Sequence, residues 1–344
     1  MTGRTRSSTS ASADSDLSLG VARIAFALLV LAGCPDSTPP GDGPAAPWTI
    51  GPELPGRRLE PGVTAFGTRM VVAGGFATGL TEGISITHEV LVFDTFDGTW
   101  TQLPDAPADL THINLGASGS TLFLLGGLEG TSFTARGEAW KLEDGADAWE
   151  PIAPLPVPRG AAGVVSSPPH VFLLGGASTT AALASCLDYN LLTGEWTALP
   201  DLPTARSHPA AMRMEDGTLV VAGGLATLDA TAPLSDVWVL PLGATAWEQR
   251  RSMPTARGGC AYGAIYGNLI CAGGESGRIA LANVEGYDPV NDVWTLYPDL
   301  PEPRAGTQAA AIGQLLYVPG GARELVFEPL SSLFVFSLLD TIGR

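Results

Sequence analysis

Six short apolar runs each end in a pair of glycines, and the nearly fixed interval between them constrains this chain more than any other feature. The runs occupy residues 70–75, 122–127, 171–176, 219–224, 269–274 and 315–321, with first glycines 52, 49, 48, 50 and 47 residues apart. Tryptophans form a second column at Trp48, Trp100, Trp149, Trp196, Trp247 and Trp294, each followed seven residues later by proline (Pro55, Pro107, Pro156, Pro203, Pro254, Pro301). Phe93, Leu142, Tyr189, Leu240 and Tyr287 stand seven residues before a tryptophan. A fourth column, three residues after the proline, holds Arg58, Arg159, Arg206, Arg257 and Arg304, with Leu110 as its exception. Self-similarity at about fifty residues means one supersecondary unit per repeat, each burying its faces against the next.

The unit is built of strands. With 43 Gly and 28 Pro in 344 residues, long helices are interrupted everywhere, while 45% apolar residues exclude a disordered chain. The runs before the glycine pairs are apolar at consecutive positions rather than alternating ones, which is the pattern of strands covered on both faces. Paired glycines at a strand end permit a positive φ or a close backbone approach that a Cβ would oppose. The fold class is therefore all-β.

Residues 284–289 (Val-Glu-Gly-Tyr-Asp-Pro) followed by Trp294 are the best single instance of a pattern that resembles the kelch repeat. The resemblance covers residues 48–336 and implies a six-bladed β-propeller with four antiparallel strands per blade. It departs from the pattern at Leu142 and Leu240, where an aromatic is usual, at Leu110, and in an irregular loop at residues 130–136. The sixth repeat ends near Phe336 before any tryptophan, whereas residues 48–55 match residues 100–107 and 294–301 in register. The N-terminal strand is therefore expected to complete the last blade and close the ring.

Arg4, Arg6 and Arg23 precede an apolar stretch at residues 24–32, too short to span a bilayer but suited to a signal-peptide core. It ends in Leu31-Ala32-Gly33-Cys34, which resembles the bacterial lipobox and implies lipidation of Cys34; Pro35 in place of an aspartate points to the outer membrane. The expected organisation is a signal peptide at 1–33, a lipid-anchored Pro/Gly-rich tether at 34–47 and the propeller at 48–344. The net charge is −17, and removal of three Arg and two Asp with residues 1–33 leaves 15 basic against 33 acidic residues, or −18. Nucleic acid is disfavoured as a partner, and membrane contact is expected through the anchor alone. If Gly267-Asn268 is a hairpin turn, ladder partners sum to 535, while Cys260 and Cys271 sum to 531. That slip of four residues puts a disulfide out of reach and makes Cys186, Cys260 and Cys271 buried free thiols.

Propellers bind at the ends of their central channel, and the columns nominate residues there. Five positions after each column proline stand Glu60, His112, Ala161, His208, Gly259 and Gly306. Together with the arginine column they give a candidate channel-mouth binding set of Arg58, Glu60, His112, Arg159, Arg206, His208, Arg257 and Arg304, suited to carboxylates or sugar acids. The structural reading of the arginines is that they bond backbone carbonyls between blades. No catalytic residue, metal site or cofactor is assigned. There is no HExxH, HxH or Cys/His cluster, no P-loop, dinucleotide fingerprint or nucleophile elbow, and the tyrosines do not supply the ligand set of copper radical oxidases similar to galactose oxidase. Carboxylates at Glu82, Glu89, Glu129, Glu138, Asp229, Asp236, Glu275 and Glu285 near the glycine pairs read as solvated surface. The resulting expectation is an envelope-anchored module that binds a protein or a glycan. Two alternatives stand beside it. One is a carbohydrate enzyme similar to the six-bladed kelch protein that mutarotates sialic acid, with Glu60, His112 and Arg58 as first suspects; the other is an inert scaffold.

Overall fold

The computed structural model describes residues 47–341; the anchor Cys34, the signal peptide and all but the last residue of the tether lie outside them. Among the described residues there is no α-helix, and the strands fall into six principal antiparallel sheets. The first blade is typical: Gly62–Phe66, Arg69–Ala73, Val90–Asp94 and Trp100–Leu103 pair in sequence order. The first strands of the six blades touch one another in a closed cycle, from Gly62–Phe66 through Leu115–Ser118, Gly163–Ser167, Ala210–Arg213 and Ala261–Ile265 to Ala310–Ile312 and back. They therefore line the central channel, and the tryptophan-column strands lie outermost.

The ring closes as the repeat register predicts. Trp48–Gly51 pairs with Leu333–Ser337, Trp48 opposite Phe336 and Gly51 opposite Leu333, so the fourth strand of the sixth blade comes from the start of the chain. Trp48 is 8% exposed and packs on Phe334 and Phe336, with ring centroids 6.3 and 5.0 Å away. The 47–48 junction is held further by the Ser337 N–H, which donates to the Pro47 carbonyl at 2.8 Å.

Column tryptophans do more than fill space. Each indole N–H donates to a carbonyl on the preceding blade: Trp48 to Pro298, Trp100 to Pro52, Trp149 to Pro104, Trp196 to Ala153, Trp247 to Pro200 and Trp294 to Arg251, at 2.9–3.2 Å. The acceptor is in every case four residues beyond the previous column tryptophan, so the six bonds run once around the ring. The glycine pair and the arginine column form a second inter-blade set. The N–H groups of Gly75, Gly176, Gly224, Gly274 and Gly321 donate to the carbonyls of Leu110, Arg206, Arg257, Arg304 and Arg58 on the next blade, at 2.7–2.9 Å. Gly274 shows why glycine is needed: at φ +95° a Cβ would lie 2.6 Å from the Gly258 carbonyl.

Two local expectations are corrected. The irregular loop of the second repeat is an extended hairpin, in which Thr121–Glu129 and Thr134–Glu143 continue past the glycine pair across a bulge between Leu125 and Gly127. Cys260 and Cys271 are joined by a disulfide, with Cα atoms 5.5 Å apart. The turn is Tyr266-Gly267, both at positive φ (50° and 75°), so that Ile265 faces Asn268 and partners sum to 533. The two cysteines are therefore only two positions out of register. An aromatic residue at positive φ is what hid this turn. Cys186 is the buried free thiol expected, with its pKa pushed up to about 11 by burial.

Because the clasp pairs a whole strand from one end of the chain with one from the other, deletion of residues 46–52 is expected to lower the melting temperature far more than deletion of residues 35–45. Trp48→Ala alone should cost about 3–5 kcal/mol. Thermal melts of the three variants check this, and equal melting temperatures for the two deletions would refute the clasp.

Candidate functional site

At one end of the channel a residue in the left-handed region stands two to four positions ahead of each innermost strand: Glu60 (φ 54°), His112 (52°), Ala161 (51°), His208 (52°), Gly259 (61°) and Gly306 (66°). Their backbones are linked around the channel. Glu60 N–H donates to the Gly306 carbonyl, His112 to Glu60, Ala161 to His112, His208 to Ala161 and Gly259 to His208, at 2.6–2.9 Å. Four of the six positions carry a side chain in a conformation that disfavours one. This belt holds the side chains of Glu60, His112 and His208 at a common level.

Glu60 Oε2 lies 3.5 Å from His112 Nε2 and 4.0 Å from His208 Nε2, and the two imidazoles meet edge to face with centroids 5.1 Å apart. The His112 tautomer follows from its neighbours. Thr111 Oγ1 donates to the Leu128 carbonyl, so the 2.8 Å contact with His112 Nδ1 has the imidazole as donor and leaves Nε2 with a free lone pair. His208 Nδ1 contacts Ser207 Oγ at 3.1 Å, and His208 Nε2 is buried without a hydrogen-bond partner. Burial pushes the His112 pKa down to about 3; burial likewise lowers His208 to about 4, against the attraction of Glu60. Burial raises the Glu60 carboxyl, an effect that His208 offsets in part.

Above this floor opens a cavity of about 450 Å³. Its walls come from the segments that follow the glycine pairs: Phe76 from the first blade, Phe133 from the tip of the extended hairpin, Leu228 and Asp229 from the fourth blade, Glu275 and Arg278 from the fifth, and Glu324, Val326 and Phe327 from the sixth. Phe133 stands edge-on to both His112 and Phe76, and Phe327 to Phe76. Below the floor the channel is blocked by Tyr262, whose hydroxyl bridges the Val164 N–H and carbonyl across the ring at 2.8 and 3.2 Å, and by Gln308, which accepts from Val63 N–H and donates to the Ile113 carbonyl.

Of the eight residues proposed from the repeat columns, the structure brings three together: Glu60, His112 and His208. The arginines Arg58, Arg159, Arg206, Arg257 and Arg304 do not line the cavity. They are 0–1% exposed inside the blades. Arg159 donates to the Gly175 and Ser185 carbonyls, Arg206 to the Gly223 carbonyl, and Arg257 to those of Gly273 and Asn283, at 2.7–2.9 Å. Arg159, Arg206 and Arg257 thus bond the first carbonyl of their own glycine pair, whereas Arg58 and Arg304 donate to the Arg57 and Pro303 carbonyls. Carboxylates complete several of them: Glu89 on Arg58, Asp236 on Arg206, Glu285 on Arg257 and Glu302 on Arg304. Sequence reasoning missed Phe133, Leu228, Val326 and Phe327, because they sit in segments that share no column. The irregularity of residues 130–136 was the one signal available for Phe133.

Glu275 gives the site a measurable pH signature. Burial, with a contribution from Glu60, pushes its pKa up to about 7 from 4.5. A group raised in this way contributes stability that is complete below pH 4.5 and is lost as pH rises through 7. Glu275→Gln is therefore expected to raise the melting temperature at pH 8 and not at pH 4.5. Scanning calorimetry at the two pH values tests it, and an equal shift at both would contradict a buried, reluctant carboxylate.

Comparison with known proteins agrees with this architecture. Residues 113–321 match the KLHDC2/KLHL20/DRC7 Kelch-repeats domain. The chain is 29% identical over 287 residues to Kelch-like protein terF of Aspergillus terreus, covering 77% of this chain and 61% of that protein. It is 25% identical over 251 residues to human Kelch-like protein 34, covering 69% of this chain and 39% of the relative. The chain thus spans less than two thirds of the length of these relatives.

Proposed function

The chain belongs to the kelch-repeat family, and on that premise we propose that it is a binding module of the bacterial cell envelope, lipid-anchored through Cys34, whose channel-mouth cavity takes an extended protein segment with apolar and basic side chains. Kelch propellers are in general protein-interaction modules, and the composition of the cavity supports a protein ligand over a glycan. Its lining contains no Trp, Tyr, Asn or Gln. Instead Phe133, Leu228, Val326 and Phe327 offer apolar contact, with Leu228 and Val326 47% and 43% exposed. This apolar wall beside Glu60, Asp229, Glu275 and Glu324 is the single observation that carries the reading. Arg278 is the one cation among the lining residues, and it lies 4.0 Å from Asp229.

The alternative of a sugar-acid enzyme asks for an arginine beside Glu60 and His112. Arg58, the candidate for that role, donates to the Arg57 carbonyl and pairs with Glu89. The acidic lining also suits a cationic ligand better than a sugar acid.

Two measurements test the proposal. In a peptide-array screen with the full-length protein, peptides that combine an apolar residue with Lys or Arg are expected to be retained, and Leu228→Asp together with Val326→Asp should weaken the best of them at least tenfold. Retention of glycans in place of peptides, or binding unchanged in the double variant, would overturn the ligand assignment. For the anchor, Cys34→Ser is expected to move the protein from the detergent phase to the aqueous phase on phase separation; partition unchanged by the substitution would refute lipidation there.

A further inference from the structure

Three electron-pair donors meet at the floor of the cavity and none of them is bonded to another. With Nδ1 of His112 donating to Thr111, its Nε2 presents a lone pair; His208 Nε2 is buried and has no hydrogen-bond partner; Glu60 Oε2 faces both from 3.5 and 4.0 Å, beyond ordinary hydrogen-bond length. A buried ring nitrogen without a partner is costly to the fold. A cation between the three groups supplies the missing partner.

We propose that Glu60, His112 and His208 form a binding site for one divalent transition-metal ion of the Zn2+ class, with an open coordination position facing the cavity. The three donor atoms lie within 4.8 Å of one another. A tetrahedral ion with ligands at about 2.0–2.2 Å separates them by roughly 3.3–3.5 Å. Small side-chain rotations close that gap. Two imidazoles and one carboxylate suit zinc and its neighbours rather than calcium or magnesium, which take oxygen sets. The Thr111 and Ser207 hydroxyls act as outer-sphere partners that fix the ring orientations.

The site is built rather than accidental. Its ligands come from three blades, each at the same repeat position and each held at positive φ by the hydrogen-bonded belt, while the remaining positions of the belt are Ala161, Gly259 and Gly306. Those small residues leave the rest of the coordination sphere clear, so the fourth ligand is water or a donor atom of whatever occupies the cavity. No sequence motif announces such a site, because the ligands are 52 and 96 positions apart, from 60 to 112 and from 112 to 208. The inference stands independently of which segment the cavity rim takes.

The test uses the untagged full-length chain, stripped with chelator and titrated with Zn2+ alone. One ion is expected per chain by calorimetry and elemental analysis, with a rise in melting temperature on loading. Glu60→Gln should weaken affinity at least tenfold, and His112→Ala with His208→Ala at least a hundredfold. His88→Ala with His170→Ala, which removes the other two histidines, should change nothing. Absence of stoichiometric Zn2+ from the parent chain, or affinity unaffected by the substitutions in the triad, overturns the site. Should the triad variants not fold, Co2+ loading of the parent chain decides: strong visible absorption bands of a tetrahedral ion support the site, and the weak spectrum of the hydrated ion refutes it.

Discussion

The structure depends on polar groups that bond across the boundary to the neighbouring blade. At the channel the belt from Glu60 to Gly259, deeper in the blade the N–H of the second glycine, and at the perimeter the tryptophan indole all direct their bonds across a blade boundary. An isolated blade leaves each of these groups unpaired, and a broken ring leaves them unpaired at the break. Each bond adds about 1 kcal/mol net, but a buried donor with no partner costs more than that. Closure is thus favoured by what it avoids as well as by what it forms. This explains why the strand at Trp48–Gly51 serves the last blade: a segment merely abutting the ring would leave Phe334 and Phe336 without Trp48, and the edge of the Leu333–Ser337 strand open.

The arginine column shows how far chemistry can be misplaced when read from a repeat. Five arginines at one position, two residues before the column that holds Glu60, His112 and His208, look like a basic ring around a channel mouth. Burial reverses the meaning. A guanidinium presents five N–H donors, and the carbonyls released by the glycine pair, together with those of residues such as Ser185 and Asn283, need donors. Desolvation opposes the charge, lowering the Arg159 pKa to about 10, yet the carbonyl set still holds it as a cation. Arg257 and Glu285 are paired at 2.7 Å with both side chains fully buried. Leu110 fits the same logic. In its blade the strands run on past the glycine pair as an extended hairpin, and Asn114 donates to the Leu125 and Arg159 carbonyls.

Architecture was legible because it is periodic. Blade number, strand order and the N-terminal closure all follow from columns that any single departure leaves intact. The hairpin at Tyr266-Gly267 was not, since a one-position error in a turn moves every cross-strand pair, and a bulky aromatic at positive φ is a choice that residue preferences oppose. The site falls between these cases. Glu60, His112 and His208 could be placed at one level from the repeat alone, whereas their convergence within 4.8 Å of one another and the apolar wall depend on ring diameter and on loops with no counterpart in other blades.

That division has a physical cause with a bearing on function. Positions inside the columns are fixed by inter-blade bonds, so most of their side chains are committed to the fold. The belt is the exception. There the bonds are made by backbone N–H and carbonyl groups, and the side chain contributes nothing to them; Ala161, Gly259 and Gly306 serve the ring as well as Glu60 does. Glycine would also relieve the left-handed backbone at less cost. That the chain nonetheless places a carboxylate and two imidazoles at three of six such positions, where they burden the fold with desolvation and positive φ, locates the selective demand in their side chains and hence in what occupies the space between them.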